Sequence, residues 1–349
     1  MSDAPDLTCP LPCSDYPRVV LAHGGGGRVM HRLIRELFVA AFDSPWLAAG
    51  HDGAVIDPGG GALALTTDAF TVRPLFFPGG DIGSLAVHGT VNDLAMCGAR
   101  PRYLTASFVL EEGLPLDDLR RVVASMAGAA RRSGVAVVAG DTKVVERGKG
   151  DGVYIAVTGV GQVESRAPIA PERVRPGDVV LVSGPVGDHG VAVMTAREGI
   201  GIETDLVSDS APVADAVLAL IRAGVDVRCL RDPTRGGLAT VLCEIASAAG
   251  IGVRVAEEAI PVRPAVADAC ELLGLDPCYV ACEGRFVAFV PEADGERALA
   301  ILRATPGGEG ARRIGRATSG PPGTVVLEGA LGGERVLDML SGEQLPRIC

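Results

Sequence analysis

The sequence predicts an α/β (α+β) protein of two domains that ends in a flexible tail. Three observations support this: a length of 349 residues, 48% hydrophobic against 21% charged residues, and apolar runs that alternate with amphipathic segments. Such a length holds about two domains, and such a composition excludes a disordered chain. We divide the chain into a Pro-rich leader (1–17), an N-terminal domain (18–168), a C-terminal domain (169–330) and a tail (331–349).

Composition also narrows the function. The 43 acidic and 32 basic residues give a formal charge of −11, and aromatic residues make up 4%, which argues against nucleic acid as a partner. No apolar run approaches the ~18 residues of a membrane span, and the N-terminus lacks the basic and apolar regions of a secretory signal. We therefore expect a cytoplasmic protein without a membrane partner.

The N-terminal domain begins with a glycine loop. An apolar run at 19–22 leads into His23 and four glycines, and apolar residues then recur at helical spacing over 29–42. A glycine loop that opens a helix presents N–H groups and the positive end of the helix dipole, which suits phosphate. It is not a Walker A loop, and a flexible linker is an equal alternative. The candidate phosphate-binding residues are Gly24, Gly25, Gly26 and Gly27.

A strand and a helix follow, and each carries a carboxylate. Residues 62–70 are predicted as a strand with Asp68 near its end, and residues 85–97 as a helix of small residues that carries Asp93. Because Asp93 interrupts an apolar stretch, its carboxylate either faces solvent or holds a cation. His88 and Asn92 lie four residues apart on this helix and therefore share one face.

A further group of polar residues follows an apolar strand. The helix predicted at 119–130 is closed by Gly134, and a strand of the buried type follows at 135–139. The α/β proteins commonly place their sites where an apolar strand ends. Directly after this strand, Asp141 can offer a metal ligand, Thr142 a hydroxyl and Lys143 a cation for phosphate. Another strand is predicted at 153–160.

The C-terminal domain contains a second glycine loop. A turn at 175–178 opens this domain and a strand at 179–182 follows it; the segment 231–237 later leads into a helix that ends near Ala249. Arginines bracket the glycines at the helix N-terminus, which favours an anion as ligand. The candidate residues are Arg231, Thr234, Arg235, Gly236 and Gly237.

One carboxylate of the C-terminal domain stands between two apolar segments. Residues 278–282 and 286–290 are predicted as strands, and Glu283 lies in the break between them. A carboxylate in such a place is partly desolvated and suited to proton transfer, and a plain turn is an equal alternative. A helix at 293–304 and short strands within 312–328 complete the domain.

The chain ends on a cysteine, Cys349. Chain ends are mobile unless they are tied down, so this thiol could travel, although a frayed end without a role is the simpler interpretation of the tail alone. The nine cysteines contain no CxxC pair, which predicts free thiols and not a zinc site.

Together these segments resemble one family. The loop HGGGG, the stretch PGGDIGSLAVHGTVNDLAMCGARPRYL, the segments FVLEEGLP, GDTKVV, SGPVGDHG and RDPTRGGLATVL, and the terminal PRIC are similar to the HypE family of hydrogenase maturation proteins. This family belongs to the ATP-binding superfamily of aminoimidazole ribonucleotide synthetase (PurM), and the resemblance covers residues 21–349. It implies a PurM-like fold that dimerises through its N-terminal domain, with ATP near the dimer interface.

The resemblance implies an ATP-dependent carbamoyl dehydratase. Cys349 would receive a carbamoyl group from HypF, and ATP would drive its dehydration to a thiocyanate. The cyanide would then pass to iron on a HypC–HypD complex, on the way to a [NiFe] hydrogenase. Two other classes stay open: another ATP-dependent enzyme of this fold, such as a selenophosphate synthetase or a small-molecule kinase, and a non-catalytic scaffold with a cysteine tail.

The resemblance also implies roles for single residues. Glu283 is the candidate base, and Lys143 would steady charge that develops on oxygen or phosphate. Relatives are expected to carry lysine in place of Ser84 and asparagine in place of Cys282. The magnesium ligands that it implies are Asp68, Asp93 and Asp141. The nucleotide contacts that it implies are Asp81, His88, Asn92, Thr142 and the residues of both glycine loops.

Overall fold

A computed structural model shows two β-sheets with helices packed on them, and it describes residues 27–33, 35, 54–56, 60–197 and 204–339. The described strands are β1 (Ala54–Ile56), β2 (Leu63–Phe70), β3 (Phe76–Phe77), β4 (Gly80–Asp81), β5 (Ala99–Glu111), β6 (Ala136–Val145), β7 (Val153–Val163), β8 (Val179–Val182), β9 (Cys229–Arg231), β10 (Gly252–Ala256), β11 (Val287–Val290), β12 (Arg312–Thr318), β13 (Val325–Glu328) and β14 (Glu334–Leu337). The described helices are α1 (Arg28–Leu33), α2 (Ile82–Met96), α3 (Leu116–Arg132), α4 (Asp188–Thr195), α5 (Ala214–Arg222), α6 (Gly237–Ala249), α7 (Pro264–Leu273) and α8 (Glu292–Arg303). Short 3-10 turns lie at Pro171–Arg173, Glu257–Ala259 and Pro277–Tyr279.

The first sheet has five strands in the order β1-β2-β7-β5-β6. Its neighbours pair antiparallel except β5 and β6, which run parallel. Helix α2 packs on one face of this sheet and also contacts α3. The packing is close because α2 contains glycines: a Cβ on Gly83 would lie 2.3 Å from the backbone oxygen of Val122, and one on Gly89 would lie 2.9 Å from the Phe70 ring. This contact fixes where the polar residues of α2 point.

The second sheet has seven strands in the order β14-β13-β10-β12-β8-β11-β9. Strands β8 and β11 are buried along their whole length, as is typical of apolar strands covered on both faces. On β8, Val179 and Leu181 face one apolar core, whereas Val180 and Val182 face the other. The first of these cores also contains residues of α2 and of the first sheet, so one continuous core joins the two halves of the chain.

Most of the predicted elements are confirmed. The helices predicted at 85–97, 119–130 and 293–304 correspond to α2, α3 and α8, and the helix after the second glycine loop corresponds to α6. The strands predicted at 62–70, 153–160, 179–182 and 286–290 correspond to β2, β7, β8 and β11, and those within 312–328 correspond to β12 and β13.

The strand predicted at 278–282 is wrong. The chain forms a 3-10 turn at Pro277–Tyr279, in which Asp276 Oδ1 accepts the N–H of Cys278 at 2.9 Å. Proline presets the backbone for such a turn and cannot donate to a sheet. The N–H of Cys282 donates to the backbone oxygen of Pro233 at 2.9 Å, so this segment packs on the second glycine loop.

Strand β6 differs from the prediction in length and in burial. Its parallel pairing with β5 continues to Val145, so Asp141, Thr142 and Lys143 lie within the strand and not after it. It was predicted as buried, but it is exposed on both faces, and it lies at the edge of the first sheet. Its exposed valines are Val137, Val138 and Val144.

The segment predicted as a flexible tail, 331–349, includes a strand of the second sheet. Strand β14 pairs antiparallel with β13, and its Leu337 is buried, so the start of the tail at 331 is wrong. The leader, Gly24 to Gly26 and Cys349 lie outside the described residues. None of the described helices is both long enough and apolar enough to cross a membrane.

Candidate active site between the two domains

Two of the predicted magnesium ligands face each other between β2 and α2. The Thr66 hydroxyl donates to Asp93 Oδ2 at 2.7 Å. Asp68 lies near Gly89, and Gly89 precedes Asp93 by one helical turn. A Cβ built on Gly89 would lie 4.0 Å from Asp68 Oδ2. Both carboxylates are half-buried. Two carboxylates and a hydroxyl fit a hard cation that also keeps water and phosphate ligands, as Mg²⁺ does.

Asp141 lies apart from this pair. Across the sheet, Asp68 pairs with Val157, Val157 with Ala106, and Ala106 with Gly140. Paired residues point to one face and successive residues to opposite faces, so Asp141 points away from α2. Three strand spacings also separate β2 from β6, on the order of 14 Å. Among the described residues no group of three or more His, Cys, Asp or Glu could hold a metal ion, so the three carboxylates form no cluster within one protomer.

The polar residues of β6 form a small exposed group. Asp141 Oδ1 accepts the N–H of Thr142 at 2.8 Å, and Lys143 Nζ lies 4.0 Å from Asp141 Oδ2. The two charged side chains are 65% and 75% exposed, and such a pair contributes little to stability. Both charged side chains therefore face solvent at this edge of the sheet.

His88 on α2 faces residues 208–213, which we call the strap. Its Nδ1 lies 3.0 Å from the hydroxyl oxygen of Ser210. Burial, with a smaller contribution from the positive charge of Arg132, lowers the pKa of His88 to about 4. The imidazole is therefore neutral near pH 7 and serves here as a neutral hydrogen-bonding group.

Asn92 joins the strap to the turn that carries Glu283. Its Nδ2 donates to the backbone oxygen of Ala211 at 3.0 Å and to that of Glu283 at 3.2 Å. Its Oδ1 accepts the N–H of Val213 at 2.8 Å. The amide of Asn92 is thus engaged with the C-terminal domain, and its predicted contact with a nucleotide stays a prediction.

Glu283 lies where the two domains meet and is 3% exposed, which confirms that it is desolvated. Its N–H donates to Asp209 Oδ1 at 3.1 Å, and the N–H of Gly284 donates to Asp209 Oδ2 at 3.3 Å. Its backbone oxygen accepts the N–H of Ala211 at 3.4 Å in addition to the amide of Asn92. The backbone of the candidate base is therefore fixed on both sides.

Behind Glu283 lies a buried network of charges that sequence reasoning missed. Arg285 Nε lies 3.5 Å from Asp209 Oδ2, and its Nη2 lies 3.9 Å from Asp188 Oδ2. Arg263 Nε donates to Asp188 Oδ2 at 2.8 Å. Burial raises the pKa of both Asp188 and Asp209, and the neighbouring arginines oppose this shift. The sequence around Asp209 is a short polar run with no helical or strand periodicity, so no local signal marks it as buried.

Asp81 caps α2. Its Oδ1 accepts the N–H of Gly83 at 2.7 Å and that of Ser84 at 3.2 Å, and Ser84 Oγ accepts the N–H of Asp81 at 3.1 Å. This reciprocal capping box satisfies N–H groups that the first helical turn leaves open. Both side chains are used in the cap, which gives Ser84 a structural role where lysine was expected.

Glu244 on α6 joins helix α1 to the second glycine loop. On α1, directly after Gly27, His31 Nε2 lies 2.6 Å from Glu244 Oε1. Arg231 Nη2 lies 3.0 Å from Glu244 Oε2. Burial raises the pKa of Glu244, but His31 and Arg231 together hold it below its usual value. Arg231 is thus engaged with a carboxylate of the protein, and its predicted phosphate contact stays a prediction.

The glycines of the second loop have a packing role. Gly236 and Gly237 have φ of +78° and +60°, in the left-handed region that favours glycine. A Cβ on Gly237 would lie 2.7 Å from the backbone oxygen of Cys278. The N–H of Gly237 donates to the backbone oxygen of Thr234 at 3.0 Å, and Arg235 is exposed beside it.

Cys282 occupies the position where asparagine was expected. Its Sγ accepts the N–H of Gly187 at 3.2 Å. Full burial raises the pKa of this thiol well above its usual value. Cys282 is therefore a neutral thiol that links the turn of Glu283 to the segment before α4.

The chain approaches its end beside the glycine loops. The Tyr279 hydroxyl donates to the backbone oxygen of Asp338 at 2.9 Å and accepts the N–H of Asp338 at 3.3 Å. The carboxylate of Asp338 bonds to Arg28, directly after Gly27. Cys349 follows Asp338 by eleven residues. A segment of that length reaches at most about 38 Å, less than a tail that starts at 331.

Comparisons with known proteins identify the family and the fold of this chain. The family described as "AIR synthase related protein, N-terminal domain" matches residues 50–163, and its C-terminal counterpart matches residues 175–328. A curated relative, the carbamoyl dehydratase HypE of Cupriavidus necator, is 56% identical over 333 residues, which cover 95% of both chains.

Solved structures of HypE share the fold. HypE in complex with ATP superposes with a TM-score of 0.81 at 51% identity, and the match covers 95% of this chain and 100% of that one. HypE from a HypE–HypF complex gives a TM-score of 0.84 at 45% identity, and the match covers 88% and 99%. Matches of this extent decide between the classes that the sequence left open. The chain belongs to the HypE family of carbamoyl dehydratases, within the AIR synthase related proteins.

Proposed function

We propose that this ATP-dependent carbamoyl dehydratase of [NiFe] hydrogenase maturation acts on a carbamoyl group carried by its own Cys349. The carbamoyl oxygen attacks the terminal phosphate of ATP, an O–P bond forms and ADP leaves. The carbamoyl nitrogen then gives up both protons while the C–O bond breaks and inorganic phosphate leaves. The thiocarbamate and ATP thus become a thiocyanate, ADP and phosphate.

One observation carries this proposal: successive residues of α2 contact the two halves of the required chemistry. Asn92 bonds to the backbone of Glu283, and Asp93 accepts the hydroxyl of Thr66, two residues before Asp68 on the same face of β2. A single turn of α2 therefore carries one candidate metal ligand, Asp93, next to the residue that holds the backbone of the buried candidate base. Phosphorylation followed by proton removal needs these two functions close together.

Each group of site residues has its own role in the proposed reaction. Asp68 and Asp93 would hold Mg²⁺, which neutralises charge on the triphosphate when it is bound. The buried Glu283 carboxylate accepts one proton from the carbamoyl nitrogen, and the second proton leaves with the phosphate. Asp141, Thr142 and Lys143 contact ATP or the developing phosphate of a site in a second subunit. The two glycine loops cover the phosphates.

A homodimer through β6 is part of the proposal. An exposed edge strand with apolar side chains on both faces is a surface prone to pair with another chain. Beside its valines, Tyr103 on β5 and Tyr154 on β7 are 54% and 38% exposed. Covering this surface would bury the tyrosines and place the charged residues of β6 against a neighbour.

The partners follow from the chemistry and the family. A HypE–HypF complex has been solved, which supports a HypF protein as the carbamoyl donor of this chain. A HypC–HypD complex is the proposed acceptor of the cyanide. We place the reaction in the cytoplasm, which fits the six described cysteines that are buried free thiols.

The direct test follows the mass of the C-terminal peptide after incubation with HypF, carbamoyl phosphate and ATP. We expect a carbamoyl adduct on Cys349 that loses one water only when ATP can be cleaved. A non-hydrolysable ATP analogue and a Cys349→Ser variant are the controls. An unmodified peptide, or an adduct that keeps its water with intact ATP, would overturn the proposal.

A further inference from the structure

We infer that Asp209 and Asn92 are positioning residues for Glu283: they hold its backbone from the two domains and so aim its carboxylate at the carbamoyl nitrogen. The inference deepens the proposed function and rests on it, because it takes Glu283 as the base. It also gives Asn92 a role other than a contact with the nucleotide.

The first support is the way in which Asp209 binds the turn. Its two carboxylate oxygens accept the N–H groups of two successive residues, Glu283 and Gly284. The turn lies so close that a Cβ on Gly284 would be 1.8 Å from the backbone oxygen of Asp209. Two bonds to adjacent N–H groups fix an orientation as well as a position, and hydrogen bonds to a charged acceptor are the strong ones.

The second support is the arrangement that keeps this carboxylate in place. The side chain of Asp209 is completely buried, and Arg285 beside it supplies the compensating charge. Arg285 is itself held by the backbone oxygens of Pro185 and Gly307, each at 3.1 Å. A buried charge is costly unless it is paired and hydrogen-bonded. Asp209 meets both conditions through Arg285 and the two N–H groups of the turn.

The third support is that the N-terminal domain grips the same turn. Asn92 donates to the backbone oxygen of Glu283 and binds the strap on either side of Pro212, at Ala211 and Val213. The strap is fixed at its other end as well, where His189 Nδ1 lies 2.8 Å from Ser208 Oγ. The base therefore cannot move without moving the strap and α2.

This arrangement links the base to the metal pair. Because Asn92 and Asp93 are neighbours on α2, one helix links the backbone of Glu283 to the carboxylate of Asp93. The charged and titratable groups that face the turn are Asp188, Asp209, Arg263, Arg285, His88 and His189. We expect the backbone of Glu283, held by these groups, to keep its position when ATP and the C-terminal segment bind and leave.

The test uses the full-length protein with Cys349 carbamoylated by HypF. Asp209→Asn keeps the size of the side chain but removes its charge and one of its two acceptor oxygens. Asn92→Ala removes the hydrogen bond from α2 to the backbone of Glu283. Asp215→Asn, an exposed carboxylate on α5, is the matched control. For each variant we would measure single-turnover dehydration at saturating ATP between pH 6 and 9, the Kd for ATP, the carbamoyl loading and the thermal unfolding.

We expect both positioning variants to slow dehydration by about 10- to 100-fold, as small misplacements of a catalytic group do. The limb of the pH profile that belongs to Glu283 should shift, whereas the ATP Kd and carbamoyl loading should stay within about twofold of the control. If one variant fails to fold, the other decides the question by the same measurements.

Three results would overturn the inference. Wild-type rates and pH profiles in both variants would show that the turn needs no support. A loss of rate that saturating ATP restores would place both residues in nucleotide binding. A lower unfolding temperature with an unchanged rate would make their role purely structural. Glu283→Gln, measured in parallel, separates the two levels: normal dehydration in that variant removes the proposed base itself.

Discussion

Two regions that the sequence pattern assigned to one site are built in opposite ways. Around the strap, Asn92, Asp209 and Glu283 are buried, and Asn92 bonds across the domains to the turn that Asp209 also holds. On β6, Asp141 and Lys143 are exposed and bond mainly to each other and to their own strand. The first region is complete within one protomer, whereas the second is an edge without a neighbour among the described residues.

The contrast indicates a division of labour. Proton removal benefits from a dry, rigid setting, and the protomer supplies one by itself. The proposed nucleotide side carries exposed charges on an edge strand, and such an edge is prone to pair with another chain. We therefore expect each complete site to combine Asp68, Asp93 and Glu283 of one subunit with β6 of the other.

The strongest prediction concerns mixed dimers. Asp93→Asn and Asp141→Asn should each lower ATP-dependent dehydration by about 100-fold or more. When the two variants exchange subunits in equal amounts, half of the dimers carry one intact site of two. Activity should then recover to about a quarter of the wild-type value. The measurement is the rate of water loss from carbamoylated Cys349.

The matched control mixes Asp93→Asn with Glu283→Gln. These two residues belong to the same protomer through α2, so no combination of subunits restores an intact site and activity should stay at the level of the single variants. Recovery in this control, or no recovery in the first mixture, would contradict the division of the site between subunits.

A second prediction tests the edge strand alone. Val144 is 68% exposed on β6, and Val144→Glu should weaken dimerisation by about 100-fold, because a charge would be buried without a partner. Sedimentation velocity over a range of concentrations measures the dimer dissociation constant. Leu272→Glu on α7, at a position that is 75% exposed, is the control and should leave it unchanged. If Val144→Glu and Leu272→Glu have the same dimer dissociation constant, β6 is not part of the dimer interface.

What the sequence could predict depended on how local the signal was. The helix α3 was found because Val122, Met126 and Ala129 recur on one face of a charged segment, and these residues are buried. The burial of Glu283 was found because apolar residues flank it on both sides. Asp209 could not be found, because its partner Glu283 lies 74 residues away and no local pattern links them.

The placement of Asp141 shows a second limit. The pairing of β5 with β6 shifts by one residue between Leu104 and Thr105. A shift of one residue moves every later side chain to the other face of the strand. Without it, Asp141 would point toward the face of the sheet that α2 covers, where Asp68 and Asp93 lie. An irregularity of this kind comes from sheet packing, so the sequence around Asp141 could predict its chemistry but not its face.

A third prediction uses the buried histidine beside the strap. The pKa of His88 is lowered to about 4, below its usual value of 6.5, so the unfolded chain binds a proton between these values and the folded chain does not. The free energy of unfolding should therefore fall by about 2 kcal/mol between pH 7.5 and pH 5 through this group. Urea unfolding at both pH values measures the change, and His88→Gln should remove that part of it. The same pH dependence in the variant would contradict the assignment.

The smallest expected effect concerns the ion pair between Arg28 and Asp338, which lies eleven residues before the proposed substrate carrier, Cys349. Arg28 and Asp338 form a partly exposed ion pair, and such pairs contribute at most about 1 kcal/mol. Arg28→Ala and Asp338→Ala should each slow dehydration by no more than about fivefold. The effects should not add in the double variant, since each removes the same contact. Tyr279→Phe, which removes both bonds to the backbone of Asp338, should cost more than either. Additive losses for Arg28 and Asp338 would mean that the pair does not guide the tail.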